Sequence, residues 1–140
     1  MAFKLILALA IKNRLKTTDV FNQYVDIATL GTIADVVPLL GENRVIVDKG
    51  LKILHNPKRI GIRAIMEVAG VLDKPLNAST IAFSIAPRLN AAGRLGSAAT
   101  AVELLLTNDE SRARELALLL DTENKERQQT ERKYLTRHWN

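Results

Sequence analysis

The sequence predicts a mostly α-helical fold, and three observations carry that prediction. Strong breakers, Pro38, Asn56-Pro57 and Gly70, cut the chain into pieces of helical length. Residues suited to helix N-caps, Asp19, Ser79, Ser97 and Thr107, stand at the head of several pieces. The last piece is laced with acid–base pairs four residues apart, Glu110–Arg114, Asp121–Lys125 and Glu123–Arg127, with the acid first, the order that supports a helix.

The elements follow in order. Residues 2–15 read as an amphipathic helix; its apolar run, residues 5–11, is too short to span a bilayer and no small-residue cleavage pattern follows it. Asp19 is placed to cap a second helix from Val20 to Val37, which Pro38 ends because proline disfavours helical geometry in the residue before it. A third helix runs from Asn43 to about Leu54, although Val45–Val47 has the propensity of a short strand. Ile62–Ala69 forms a short helix stopped by Gly70, and Ser79 caps another from Thr80 to Ala86. PRLNAAGRLG (87–96) reads as a loop, after which Ser97 caps a helix to about Leu106. Thr107 and Glu110 match a capping box that opens the final helix. Ala113, Leu116, Ala117 and Leu120 give that helix an apolar stripe, but every residue from Asp121 to Lys133 is polar. A helix polar on all sides bridges domains or is unstable alone. Continuous from Asp109, it would reach about 45 Å.

With 140 residues the chain is the size of one domain, and its hydrophobic content of 47% suffices for a core in which Leu, Ile, Val and Ala replace the scarce aromatics. The absence of cysteine excludes disulfides and thiolate metal sites and fits a reducing, cytoplasmic setting. The formal charge of +5 is uneven: residues 44–63 carry Arg44, Lys49, Lys52, Lys58, Arg59 and Arg63 against Asp48 alone. Such a balance suits a polyanionic partner or a solvated basic surface.

Two places hold chemistry that packing does not explain. From Lys74 to Val102 there is no Asp or Glu, yet Arg88 and Arg94 sit there with Asn90, Gly93 and Gly96. One reading pairs the arginines with a distant acid. The other gives them a phosphate, which the planar guanidinium fork matches bidentately, with the glycines admitting close backbone approach and the Ser97 helix start adding N–H donors. Asn90 orients either arrangement or caps a turn. The second place is Asp35, the only charge between Asp26 and Glu42, with Ile33, Ala34, Val36 and Val37 around it. It stands at a helix C-terminus, where the dipole disfavours an anion, so it needs a donor, a cation such as Arg44, or a metal ion. Asp26, nine residues earlier, is half a turn out of phase and shares no helical face with it.

GTIADVVPL (31–39), ENRVIVDKGLKIL (42–54) and IAPRLNAAGRLGSAATAVELLL (85–106) resemble the RecJ family of single-stranded-DNA-specific exonucleases, in the DHH phosphoesterase superfamily. The resemblance runs from about Ala2 to Arg132. It implies 5′ to 3′ hydrolysis of single-stranded DNA with Mn2+ or Mg2+, a role in DNA repair and recombination, and contact with replication and repair proteins through the parent enzyme. It makes Asp35 a catalytic residue and the last acidic metal ligand, and Arg94 a catalytic group gripping the phosphate near the cut; Arg88 and Asn90 belong to the same phosphate-binding motif. It further implies a division into residues 1–108, the C-terminal helical part of a DHH-type α/β catalytic domain, and residues 109–140, a long connecting helix toward a second domain. The Asp-His-His motif itself is absent: the two histidines, His55 and His138, follow no Asp. The chain is therefore expected to be an internal piece, inactive alone, with apolar surface uncovered. Two other readings stay open: a stand-alone helical module binding nucleic acid or protein, and a phosphoesterase of short oligonucleotides or small phosphates.

Overall fold

The computed structural model describes residues 2–95 and 98–138, with Arg94, Leu95, Arg137 and His138 as backbone alone. Its described residues are mostly helical and contain no strand. The helices are α1 (Ala2–Lys12), α2 (Thr17–Ala34), α3 (Gly41–Leu54), α4 (Ile60–Val68), α5 (Ala78–Thr80), α6 (Ala86–Leu95), α7 (Ala98–Leu106) and α8 (Glu110–His138). A π-helical segment, Ile81–Ile85, joins α5 to α6.

The core forms where α4, α7 and the first half of α8 meet: Ile62, Ile65, Met66, Leu104, Leu116 and Leu120 are buried there, and Leu54, Ile81 and Ile85 continue the cluster. Two contacts are close enough to require glycine. A Cβ on Gly61 of α4 would lie 1.7 Å from the Leu104 carbonyl oxygen, and one on Gly50 of α3 would lie 1.8 Å from Thr29 Oγ1. That hydroxyl in turn donates to the Ile46 carbonyl at 3.0 Å, fastening α2 to α3. Phe3 packs on Phe21 with ring centroids 5.3 Å apart, seating α1 on α2. Leu5, Leu9 and Ile11 of α1, Leu40 and Phe83 point outward, the uncovered apolar surface that was expected.

Several boundaries differ from the sequence reading. The second helix starts at Thr17, so Asp19 sits in its first turn and caps nothing, and it ends at Ala34 rather than Val37. Val45–Val47 is helical, inside α3. Asn77, not Ser79, caps the next helix, its Oδ1 accepting from the Thr80 N–H at 2.8 Å. At the head of α8 Asp109 caps, accepting from the Arg112 N–H at 2.8 Å, while Glu110 pairs with Arg63 instead of closing a capping box.

The largest difference concerns residues 87–95, which belong to a helix and not to a loop. Proline inside an α-helix lacks a donor and crowds the carbonyl one turn back. Here the π-helical segment immediately precedes Pro87, and the Ala86 N–H reaches back five residues to the Ile81 carbonyl. The wider turn makes room for the ring and the helix continues. Gly96 and Ser97, the expected close-approach glycine and cap, lie outside the described residues.

Candidate nucleic-acid interface

Making residues 87–95 helical sorts the motif onto two faces. Arg88, Ala91 and Ala92 recur at helical spacing, and both alanines are fully buried. Asn90 and Gly93 are exposed on the other side, with open space around Gly93. By register position 94 lies one turn beyond Asn90 on that outer face; the Arg94 side chain is outside the described residues.

Arg88 therefore faces inward, and the fold supplies the carboxylate that its local sequence lacks. Its Nε donates to Asp121 Oδ1 of α8 at 2.8 Å, and its Nη1 donates to the Ser84 carbonyl in the π-helical segment. Arg88 is thus paired with a distant acid in this structure, the first of the two readings of the arginines, while Asn90 stands on the outer face. Lys125 takes the other Asp121 oxygen at 2.7 Å, as the four-residue spacing predicted. Burial pushes the Asp121 carboxyl up, but the hydrogen bonds and charges of Lys125 and Arg88 outweigh it and hold the group below the usual carboxylate range. The other two expected helix pairs are replaced: Glu110 reaches Arg63, Arg114 reaches Glu67, and Arg127 reaches Glu131 and Asn124.

Asp35 forms the C-terminal cap of α2, its backbone N–H donating to the Gly31 carbonyl at 3.1 Å. The carboxylate is exposed, not buried as its neighbours suggested, and among the described residues it has no hydrogen bond or ion pair, Arg44 included. It lines a groove of about 500 Å³ walled by Phe3 and Ile6 of α1, Tyr24 and Thr32 of α2, and Ile46 of α3. Val36, the next residue, has φ of 52° and is 87% exposed. A β-branched residue in the left-handed region is strained, and such strain gathers at functional turns.

The two places meet at a smaller pocket of about 220 Å³. Ile33, Ala34 and Val36 of the α2 C-terminal turn form one wall, and Ala82, Ala86, Pro87 and Asn90 form another. Arg127 of α8 closes it. The geometry thus brings Asn90 and the Asp35–Val36 turn together and turns Arg88 away. It also adds Asp121, Asn124 and Arg127, which the sequence reading had left in a solvated connector. Spaced three residues apart, they share one face of α8, but in an all-polar segment that spacing gives no contrast to detect. Among the described residues no three His, Cys, Asp or Glu side chains converge where a metal ion could sit. With Asp35 as a single carboxylate, the donors of this chain do not by themselves fit a metal centre.

No family model matches the chain. It is 45% identical over 138 residues to the single-stranded-DNA-specific exonuclease RecJ of Haemophilus influenzae, a match covering 94% of this chain and 24% of that protein. It is 44% identical over 107 residues to RecJ of Bacillus subtilis, covering 76% of this chain and 14% of the relative. The crystal structure of RecJ in complex with Mn2+ from Thermus thermophilus superposes with a TM-score of 0.88 at 40% identity, over 98% of this chain and 20% of that one. The chain therefore spans about a quarter, or less, of the length of these relatives. Since sequence and backbone agree over nearly all of its own length, the chain belongs to the RecJ family, as a helical segment of it.

Proposed function

We propose that this chain is part of a single-stranded-DNA-specific exonuclease that hydrolyses phosphodiester bonds from the 5′ end in DNA repair and recombination. Residues 1–108 belong to the catalytic domain, and residues 109–140 form the helix connecting it to a second domain. The observation that carries this reading is the common pocket of Asn90 and Val36, which places the outer face of α6 beside the turn bearing Asp35. On that face Asn90 and Arg94 engage a backbone phosphate through charge-assisted hydrogen bonds. Asp35, exposed and without a partner among the described residues, is one carboxylate donor toward Mn2+ or Mg2+, whose other ligands this chain does not supply. Mg2+ and Mn2+ accompany RecJ in solved structures of the family. Manganese and magnesium suit oxygen donors of this kind.

The parent enzyme is read as cytoplasmic, in keeping with a cysteine-free chain acting on DNA. No described helix is long and apolar enough to cross a membrane. Replication and repair proteins are its expected company.

The purified 140-residue chain is predicted to bind single-stranded oligonucleotides weakly, to lose that binding steeply with salt, and to hydrolyse nothing in the presence of Mn2+. Fluorescence anisotropy on an oligo-dT probe and a gel assay of the same probe test both parts. Robust turnover would sink the view that essential ligands lie outside the chain.

A further inference from the structure

The second half of α8 does more than connect. From its composition it should stand in solvent, yet Asp121 is buried on Arg88 of α6 and Asn124 is buried to 2% exposure. Arg127 follows on the same face, its side chain only 24% exposed. Asn124 Oδ1 accepts from Arg127 Nη2 at 3.3 Å. A buried amide directed at a guanidinium holds it against the body of the protein, where a free surface arginine would extend into water.

Among the described residues, Arg127 carries the only charged side chain lining the pocket shared by Asn90 and the α2 C-terminal turn; the other lining residues are Ile33, Ala34, Val36, Ala82, Ala86 and Pro87. Its ion-pair partner, Glu131, is half exposed and does not line the pocket. With the arginine preceding the glutamate by four residues, that pair has the less favourable helical order and adds little to the helix. The pocket thus presents a guanidinium, an amide whose nitrogen can also donate, and no anion among its described lining residues.

Resting on the exonuclease reading above, we infer that Arg127 is a further contact of that site, binding a backbone phosphate of the single strand next to the one held on the outer face of α6. A phosphodiester offers two non-bridging oxygens to the planar fork and carries the charge that Arg127 answers. The connecting helix then supplies part of the substrate track, with Asn124 as the positioning residue for Arg127.

The test is a salt titration of oligo-dT binding to the 140-residue chain, read as the slope of log K against log salt. Arg127→Gln is expected to weaken binding about tenfold at low salt, the loss of one charge-assisted contact, and to reduce the slope by about 0.7, the value of one single-strand phosphate. Arg127→Lys keeps the charge and should keep the slope while losing part of the affinity. Arg112→Gln, about four turns away toward the start of α8 and engaged with Glu103 and Glu115, should leave both unchanged. An unaltered slope in Arg127→Gln overturns the inference and leaves the exonuclease reading standing, as does an equal loss in Arg112→Gln. If the unsubstituted chain shows no salt-dependent binding at all, both fall. Thermal unfolding of each variant accompanies the titration; should Arg127→Gln not fold, Arg127→Lys decides, an unchanged affinity there counting against the inference.

Discussion

Two arginine–aspartate pairs, each separated by 33 residues, differ in what surrounds them. Arg59 donates to Asp26 at 2.9 Å and to the Gln23 carbonyl at 2.7 Å, and its guanidinium lies 5.8 Å from the centre of the Tyr24 ring. The second Asp26 oxygen accepts from the Ile27 N–H at 2.8 Å, so the carboxylate is satisfied with one cation. In the other pair Asp121 holds two cations, Arg88 and Lys125. The first cluster is balanced and fixes the start of α4 to α2. The second carries one positive charge in excess, next to the helix whose outer face bears Asn90. The same pair of residue types therefore serves as a scaffold clamp in one place and, under the function proposed above, as a charged support beneath a binding surface in the other.

Removing the carboxylates separates the two. Asp121→Ala strands the more buried guanidinium, Arg88 at 17% exposure against 24% for Arg59, with Lys125 beside it. Breaking such a pair costs about 3–5 kcal/mol. Asp26→Ala is expected to cost less, about 2–3 kcal/mol, because Arg59 keeps the Gln23 carbonyl and the Tyr24 face and lies nearer water. Urea unfolding of the two variants measures the order, and equal losses would erase the distinction. Oligo-dT binding adds a second axis. Asp26→Ala should leave it unchanged under conditions where the variant is folded, whereas Asp121→Ala should disturb it through α6.

A smaller effect sharpens the contrast through pH. The Asp121 carboxyl is held below its ordinary range in the folded chain, while its unfolded value is about 3.9. A depressed carboxylate contributes stability that is fully present above the unfolded value and is lost as pH falls through the folded one. The unfolding free energy should therefore decline below about pH 4, and Asp121→Asn should decline less steeply over that window than the unsubstituted chain. Identical pH profiles would remove Asp121 from the account of acid stability.

The helical class was legible because its signals are local: breakers at Pro38, Asn56-Pro57 and Gly70, and a periodic apolar stripe at Ala113, Leu116, Ala117 and Leu120. The faces of the candidate site were not. Proline within PRLNAAGRLG signals a loop by the ordinary rule, and only the π-helical segment before it lets Arg88 and Asn90 separate onto opposite sides of a helix. The partner of Arg88 lies 33 residues away, beyond any local pattern, so an acid-free window around it said nothing about its actual neighbours. Asn124 and Arg127 were hidden for the converse reason: in a stretch where every residue is polar, polarity cannot mark which face is covered. Asp35 and Asn90 were singled out by the oddity of a polar group among apolar ones, a signal that survives whether or not the local structure is read correctly.

The smallest expected effect concerns the strained turn beside Asp35. Val36 holds φ of 52° and is almost wholly exposed, so its side chain gives the core nothing in return for the strain. The Asp26–Arg59 cluster holds no such strain, since neither residue has a positive φ. Val36→Gly relieves the clash between Cβ and backbone, worth roughly 1–2 kcal/mol, and gives back part of it in the added freedom of the unfolded chain, for a net gain of about 1 kcal/mol. If the turn exists to hold the Asp35 carboxylate and the pocket wall in one place, the same variant should bind oligo-dT more weakly even as its melting temperature rises. Stability and binding moving in opposite directions would place the strain on the side of the site. A rise in both would make Val36 an accident of the turn, and the difference between the two clusters would then rest on charge alone.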